Sequence, residues 1–351
     1  MPRRVLIFTS IMLVFVLVGF MALYFGYFLI SPAGVDNKEE IFIVKRGGGL
    51  KAIAGELRER GLIKSKDLFM LWALLTGRTR DIKAGEYGLD RSMAPIKIFN
   101  TLTSGMVKTH YLTIPEGLTA EQIADLLGKN DLVNINKKEF LALARDKVIA
   151  SSYHIDGYGL EGYLFPDTYL ITRDISAKEL IDLMVKRFWG ILNPIFKNSK
   201  CSAGGLLPVK DIVTLASIVE KETGLAEERP IIASVFINRL KKNMRLESDP
   251  TVIYGLKDFD GNLKKKNLRS PSPYNTYMNY GLPPGPIANP GRESLLAVIN
   301  PVKTDYLYFV SKNDGSHHFS PTLEKHNMAV AKYQGGHGSR LNKKKQSIYS
   351  K

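Results

Sequence analysis

A carboxylate on the apolar face of a helix needs a reason, and this chain holds one. Between Pro208 and Thr223 the apolar residues Ile212, Leu215, Ala216 and Val219 recur at i, i+3, i+4 and i+7, with Pro208 near the first turn and Asp211 close behind. That spacing predicts an amphipathic helix. Glu220 follows Ala216 by four residues and so falls on or beside the buried stripe, whereas Glu222 points about 200° away. Burial disfavours the charged form of Glu220, and the negative C-terminal end of the helix dipole pushes the same way. Both effects raise its pKa toward the range of a general acid. A blander alternative stays open, in which Glu220 reaches water at the stripe edge or pairs with Lys221 or Arg229.

Polar groups accumulate downstream. A second amphipathic helix is expected over Ile231 to Leu240, ending in Asn238-Arg239-Leu240, and is followed by Glu247-Ser248-Asp249-Pro250-Thr251. From Ser270 to Gly291 the chain holds prolines at 271, 273, 283, 284, 286 and 290 and tyrosines at 274, 277 and 280, which excludes a long helix or a central strand. Were part of this loop polyproline II, with about three residues per turn, Tyr274, Tyr277 and Tyr280 would share one face suited to stacking on sugar rings or to packing. His317, His318 and His326 match no zinc spacing and read as structural, so no metal is expected. Cys201 has no neighbouring base and reads as incidental; as the chain's single cysteine it also rules out an internal disulfide.

The elements that would carry these groups begin with an anchor. Val5 to Ile30 contains no charged side chain, follows Arg3 and Arg4, and precedes Ser31-Pro32. These residues, at about 1.5 Å each, exceed the roughly 30 Å hydrocarbon core. The run is too long for a signal-peptide core and lacks a convincing cleavage site, and the flanking arginines place the N-terminus in the cytoplasm. Next come a strand pattern over Glu40 to Lys45, a Gly47-Gly48-Gly49 turn and a helix ending near Gly61. A further helix is expected from the N-cap Ser65 to about Leu75. Gly85-Glu86-Tyr87 reads as a strand end and Ala94 to Leu102 as another short helix. A shift of 70 residues lays Val44 on Ile114, Gly47 on Gly117 and Leu57 on Leu127, a partial echo that strand, turn and helix chemistry also explains. Tyr306 to Val310 reads as a strand before an Asn313-Asp314-Gly315 turn.

The formal charge is +15 and the apolar share 44%, so global disorder and fibres are excluded. Much of the positive excess is terminal: Arg3 and Arg4 at one end, and Lys332, Arg340, Lys343, Lys344, Lys345 and Lys351 with no acid among them at the other. No folded basic face with interleaved stacking groups is visible, and no nucleic acid partner is expected.

Six blocks in order resemble one family. They are Leu160-Glu161-Gly162-Tyr163-Leu164-Phe165-Pro166-Asp167-Thr168-Tyr169, Leu215 to Thr223, Val235 to Leu240, Ser248 to Thr251, Tyr274-Asn275-Thr276-Tyr277 and Gly281 to Ile287. The chain is similar to the endolytic murein transglycosylases, the YceG-like proteins, from its anchor to about Ala331. The resemblance implies an α+β fold with a cytoplasmic N-terminus at 1–4, a single transmembrane helix at 5–30, a small LysM-like module at 40–107, a larger catalytic domain at 108–335 and a basic tail at 336–351. A plain α+β spacer is the alternative to the LysM-like module. It further implies Glu220 as the catalytic residue, in the Ser217 to Thr223 block, and substrate contacts in and beside the blocks: Ser217, Asn238, Arg239, Asp249, Thr251, Tyr254, Tyr274, Asn275 and Tyr277. By that resemblance, Glu220 protonates the glycosidic oxygen between N-acetylmuramic acid and N-acetylglucosamine, then accepts the proton of the muramoyl 6-hydroxyl as a 1,6-anhydro ring closes, with no cofactor. The implied partners are peptidoglycan glycan strands, the cytoplasmic membrane and peptidoglycan synthases. Two rivals remain at this stage: a two-carboxylate hydrolase drawing on Glu161, Glu222, Glu247 or Asp249, and a non-catalytic glycan-binding scaffold.

Overall fold

The computed structural model describes residues 3–157, 159–198 and 207–335; the expectations for Cys201 and for the tail at 336–351 lie outside these. The chain divides into two units, Met1–Leu112 with Leu170–Ile175, and Thr113–Tyr169 with Ser176–Lys351. It is a mixed α+β protein in which three separate two-stranded sheets are surrounded by helices.

The first unit opens with α1 (Arg3–Ile30). Its Ile7–Ile30 portion is, among the described residues, the one helix long and apolar enough to cross a bilayer, with a mean hydropathy of 2.4. Side chains from Ile7 to Tyr24 are exposed, but Phe28 and Leu29 are buried in the core of this unit. Strand β1 (Glu40–Val44) pairs antiparallel with β2 (Gly85–Leu89), Phe42 opposite Tyr87 and Val44 opposite Gly85. Strict alternation turns Phe42 and Val44 inward and leaves Ile41 and Ile43 outward. Helices α2 (Leu50–Glu59), α3 (Lys66–Leu75) and α4 (Pro95–Ser104) complete the core with Leu57, Phe69, Phe99 and Leu102. Ser65 caps α3 by accepting from the Leu68 amide, as its position before an apolar run predicts. Glu86 of β2 is buried and accepts from His110 Nε2 at 2.6 Å and Arg173 Nη1 at 2.8 Å. Burial works against its charge, but the hydrogen bonds from His110 and Arg173 win and hold the carboxyl below the usual range.

The division between units runs through β3 (His110–Thr113) and β4 (Thr168–Ile171), which pair with each other. Strand, left-handed glycine and helix recur here. Gly47 (φ +75°) separates β1 from α2 as Gly117 (φ +74°) separates β3 from α5 (Ala120–Gly128).

In the second unit, α6 (Lys137–Ala144) and α7 (Lys147–Ser152) follow α5, and α8 (Ala177–Asn198) packs on α6. Then come α9 (Val209–Glu222), α10 (Arg229–Lys241), α11 (Asp249–Gly255) and α12 (Arg292–Ile299). α9 is the middle of this group: α10, α11 and α12 all pack against it, and each residue from Ile212 to Val219 is buried. β5 (Tyr308–Ser311) and β6 (His317–Ser320) form an antiparallel hairpin about the Asn313-Asp314-Gly315 turn, covered by α13 (Leu323–Gln334).

One glycine shows how closely the loops sit on α9. Gly162 has φ +88°, and a Cβ there would stand 2.5 Å from Pro286 and 2.8 Å from Val213. Gly162→Ala should therefore lower the melting temperature of the purified chain, with at least about 1–2 kcal/mol lost to the left-handed backbone alone. An unchanged melting temperature would show that this loop is not held against α9.

Candidate active site

Because α9 is enclosed on all sides, both glutamates of its last turn are drawn inward, and helical phase does not discriminate between them. The Glu220 side chain is 6% exposed. Its Oε2 accepts from the Gly291 amide at 3.0 Å and from Ser294 Oγ at 2.7 Å, both at the start of α12. Arg229 Nη2 lies 3.4 Å from Oε1 and also approaches Glu116 at 3.7 Å. Burial and the neighbouring Glu220 charge push the Glu116 carboxyl up. Of the two cations weighed from the sequence, Arg229 is the one that pairs with Glu220. Lys221 instead donates to the Gly117 carbonyl at 3.1 Å, and burial pushes its ammonium down.

Glu222 meets a different environment. Its Oε1 accepts from Ser248 Oγ at 2.5 Å, just ahead of α11. Burial raises its pKa to about 7, the Ser248 hydrogen bond opposing the rise and the charge of Asp249 adding to it. Asp249 Oδ1 in turn accepts from the Tyr277 hydroxyl at 2.7 Å. Burial, this bond and the surrounding carboxylates hold Tyr277 protonated, well above the ordinary phenol range.

A cleft of about 680 Å³ in the second unit lies at the other end of α11 and is lined by Glu161, Tyr254, Tyr274, Arg145, Lys210 and Pro286, among others. The Glu161 carboxylate accepts from the Ala120 amide at 3.0 Å, from Asn289 Nδ2 at 3.0 Å and from the Tyr254 hydroxyl at 3.3 Å. Burial outweighs these donors and raises its pKa to about 7. The rings of Tyr254 and Tyr274 are 4.8 Å apart and tilted by 56°, forming an aromatic wall. α11 thus joins two acids, with Asp249 beside Glu222 at its start and Tyr254 on Glu161 near its end. Carboxyls that are partly protonated at neutrality can donate a proton to a leaving oxygen, and aromatic walls suit the apolar faces of sugar rings.

Five of the expected substrate contacts make hydrogen bonds within the fold. Ser217 is fully buried, donating to the Thr214 carbonyl at 2.7 Å and accepting from the Ile287 amide at 3.0 Å. Thr251 donates to the Ser248 carbonyl at 2.6 Å, and Asn275 to the carbonyls of Leu268 at 3.0 Å and Ser270 at 2.8 Å. Asn238 holds the carbonyls of Thr304 and Tyr306, and Arg239 those of Leu246 and Leu307. For Ser217 and Asn275 part of the reason is the proline-rich loop, whose backbone lacks a ladder and finds side-chain partners at Ile287 and Ser270. Asp249, Tyr254, Tyr274 and Tyr277 do gather around the acids.

The tyrosines do not share a polyproline face. Residues 272–279 coil into turns, the Asn275 amide bonding to the Ser272 carbonyl and the Met278 amide to the Asn275 carbonyl. Tyr274 accordingly faces the cleft, Tyr277 meets Asp249, and Tyr280 packs under the Arg245 guanidinium at 4.6 Å. His317 is bound through Nδ1 to Glu228 at 2.6 Å, and His326 stacks on Tyr308. Sequence reasoning missed the Glu222–Ser248 pair, the capping of α12 by Glu220 and the hub at Asn289, because each joins residues 26 or more positions apart. The dipeptide Asn289-Pro290 signals a turn but not its partners.

Comparison with known proteins places this architecture. The profile of the YceG-like family matches residues 42–332. An endolytic murein transglycosylase of Bacillus subtilis is 36% identical over 89% of this chain and 90% of its own length. A Streptococcus pneumoniae protein of the same name is 31% identical over 88% of this chain and 62% of its own length. A crystal structure of a yceG-like protein from Listeria monocytogenes superposes with a TM-score of 0.54 at 34% identity, covering 84% of this chain and all of the other. Likeness of that extent, running through nearly the whole of two chains, is beyond what one shared motif produces, and this chain belongs to the YceG-like family.

Proposed function

We propose that this protein is a membrane-anchored endolytic transglycosylase that cleaves the β-1,4 bond between N-acetylmuramic acid and N-acetylglucosamine within peptidoglycan strands and leaves 1,6-anhydro ends. Its named relatives support the reaction class. The observation that carries the mechanism is a glutamate at the end of α9 whose pKa is raised to about 7. Such a group is protonated often enough to serve as acid and ionised easily enough to serve next as base. It donates to the glycosidic oxygen as positive charge develops at the muramoyl C1, then takes the proton of the 6-hydroxyl that attacks C1. The nucleophile is already on the sugar, so no second carboxylate has to activate water.

In this proposal the acid is Glu222 rather than Glu220, the residue expected from helical phase. Glu220 Oε2 is occupied by Gly291 and Ser294 and its Oε1 faces Arg229, so it joins α9, α10 and α12. Among the described residues Glu222 has one hydrogen-bond donor, Ser248, and Asp249 and Tyr277 lie beside it. Tyr254 and Tyr274 supply the wall on which the sugars stack, and the first unit, LysM-like in its strand and helix order, holds the strand near the membrane. The burial of Phe28 and Leu29 favours retention of α1, since cleavage near Ala33 would strip both from the core. Strand cleavage on the outer face of the cytoplasmic membrane places the enzyme beside the synthases that elongate those strands.

Glu222→Gln should cut the rate of strand cleavage by about 10²- to 10⁴-fold, measured by mass spectrometry of digests run in ¹⁸O-water, whose muramoyl ends should be anhydro and unlabelled. Labelled reducing ends would make the enzyme a hydrolase, and loss of cleavage in Glu220→Gln alone would return the acid to Glu220.

The pH dependence follows from the same carboxyl. Cleavage needs Glu222 protonated at the outset, so kcat/KM should be level below pH about 7 and fall about tenfold per unit above it. Ser248 stabilises the charged form, so Ser248→Ala should move that limb to higher pH. A limb that moves in Glu161→Gln but not in Ser248→Ala would assign it to Glu161.

The intact mass of the protein extracted from membranes should include residues 3–30; a species beginning near Ala33 would remove the anchor.

A further inference from the structure

Helix α3 carries an apolar stripe that its own unit does not cover. Leu71, Leu74 and Leu75, at i, i+3 and i+4, are 46%, 61% and 67% exposed, while Phe69 and Ala73 on the other side are buried. A soluble module has no need of three exposed leucines on one turn and a half of helix.

Two contacts within the first unit fix where this stripe lies along α1. Lys64, ahead of α3, donates to Ser31 Oγ at 2.8 Å, just past the end of α1. Trp72, most of the way along α3, packs its ring 6.4 Å from that of Phe25. From Ser31 to Phe25 is about 9 Å back along α1, and from Lys66, two residues past Lys64, to Trp72 about 9 Å along α3, at about 1.5 Å per residue. α3 therefore runs antiparallel to α1 and descends beside it. Its next turn brings Leu74 and Leu75 level with Met21, Leu23 and Tyr24, which are 68%, 75% and 61% exposed.

The length of α1 agrees with this placement. About 20 residues suffice for the hydrocarbon core, and the apolar run from Val5 to Ile30 is longer than that. Its last turn is used otherwise, Phe28 and Leu29 serving as core residues of the first unit. The bilayer surface then falls near Tyr24 and Tyr27, both exposed as interfacial tyrosines are. After Leu75 the chain turns at Gly77, and Arg78 pairs with Asp81 of the short Thr79–Asp81 turn.

We propose that the C-terminal half of α3, through Leu71, Leu74 and Leu75, is immersed in the outer interfacial layer of the same bilayer that α1 crosses. This rests on the reading of α1 as an anchor. It makes the first unit a two-point membrane foot in place of a module swinging on a single helix, and so sets the height at which the unit stands above the lipid.

The test uses the full chain with Cys201→Ser and single cysteines introduced by Leu74→Cys, Leu75→Cys, Leu17→Cys within α1 and Lys51→Cys at the start of α2. Each is labelled with an environment-sensitive fluorophore and reconstituted into phosphatidylethanolamine–phosphatidylglycerol vesicles with or without shallow doxyl-labelled lipid. Probes at 74 and 75 should be quenched several-fold more by the doxyl lipid than the probe at 51, and shielded from aqueous iodide. Quenching at 17 with none at 74 and 75 would overturn the immersion while leaving the anchor standing. Absence of quenching at 17 would remove both. Probes at 74 and 75 shielded from iodide yet unquenched by lipid would mean that protein covers the stripe, and would equally overturn the proposal.

Discussion

The second unit depends on the enclosure of α9. With α10, α11 and α12 packed around it, no residue between Ile212 and Val219 reaches solvent. Its last turn emerges in part, Lys221 being exposed, and Glu220, Lys221 and Glu222 each find a different partner: the amide and hydroxyl at the start of α12, the Gly117 carbonyl, and Ser248. Glu220 is tied by its donors to α10 and α12, whereas Glu222 is met by Ser248 ahead of α11, so two carboxylates of one helical turn join different parts of the fold.

The loops follow from the same enclosure. A proline-rich segment cannot join a sheet, so its buried carbonyls and amides need side-chain partners. Asn275 and Asn289 supply them, Asn289 bonding at once to the Leu118 carbonyl, the Leu164 amide and Glu161. These bonds draw the loops after β3, before β4 and before α12 onto one another. They also enclose Glu161, so that the cleft carries a carboxyl raised by burial. A polar hub of this kind tolerates little change, because removing one partner leaves the others unsatisfied.

The first unit solves another problem with less material. It has a two-stranded sheet and three short helices, too little to enclose a large core, and it borrows the last turn of α1 to finish one. Lateral stability thus couples the apolar helix to the module that follows it. Glu86 reaches across with His110 and Arg173 to hold β3 and the 170–175 segment to the same unit.

The sequence by itself determined several elements whose signal is local. The apolar run of α1, Ser65 as the cap of α3, the strand ending near Lys45, the turn at Asn313-Asp314-Gly315 and the helix from Pro208 to Thr223 are legible because periodicity and capping act within a few residues. Ordered motifs carried the family. Tertiary structure alone decided the site. Helical phase presumes one wet face along the helix, and from Ile212 to Val219 α9 has none, so Glu222 meets Ser248 although its phase points away from the stripe. Polyproline spacing presumes an extended loop, and hydrogen bonds coil residues 272–279 instead. Ser217, Asn238, Arg239, Thr251 and Asn275 are polar residues in strong motifs, and whether a polar side chain meets a ligand or a backbone carbonyl depends on which distant loop is folded against it. That choice is made by contacts between residues far apart in the chain, which no local spacing encodes.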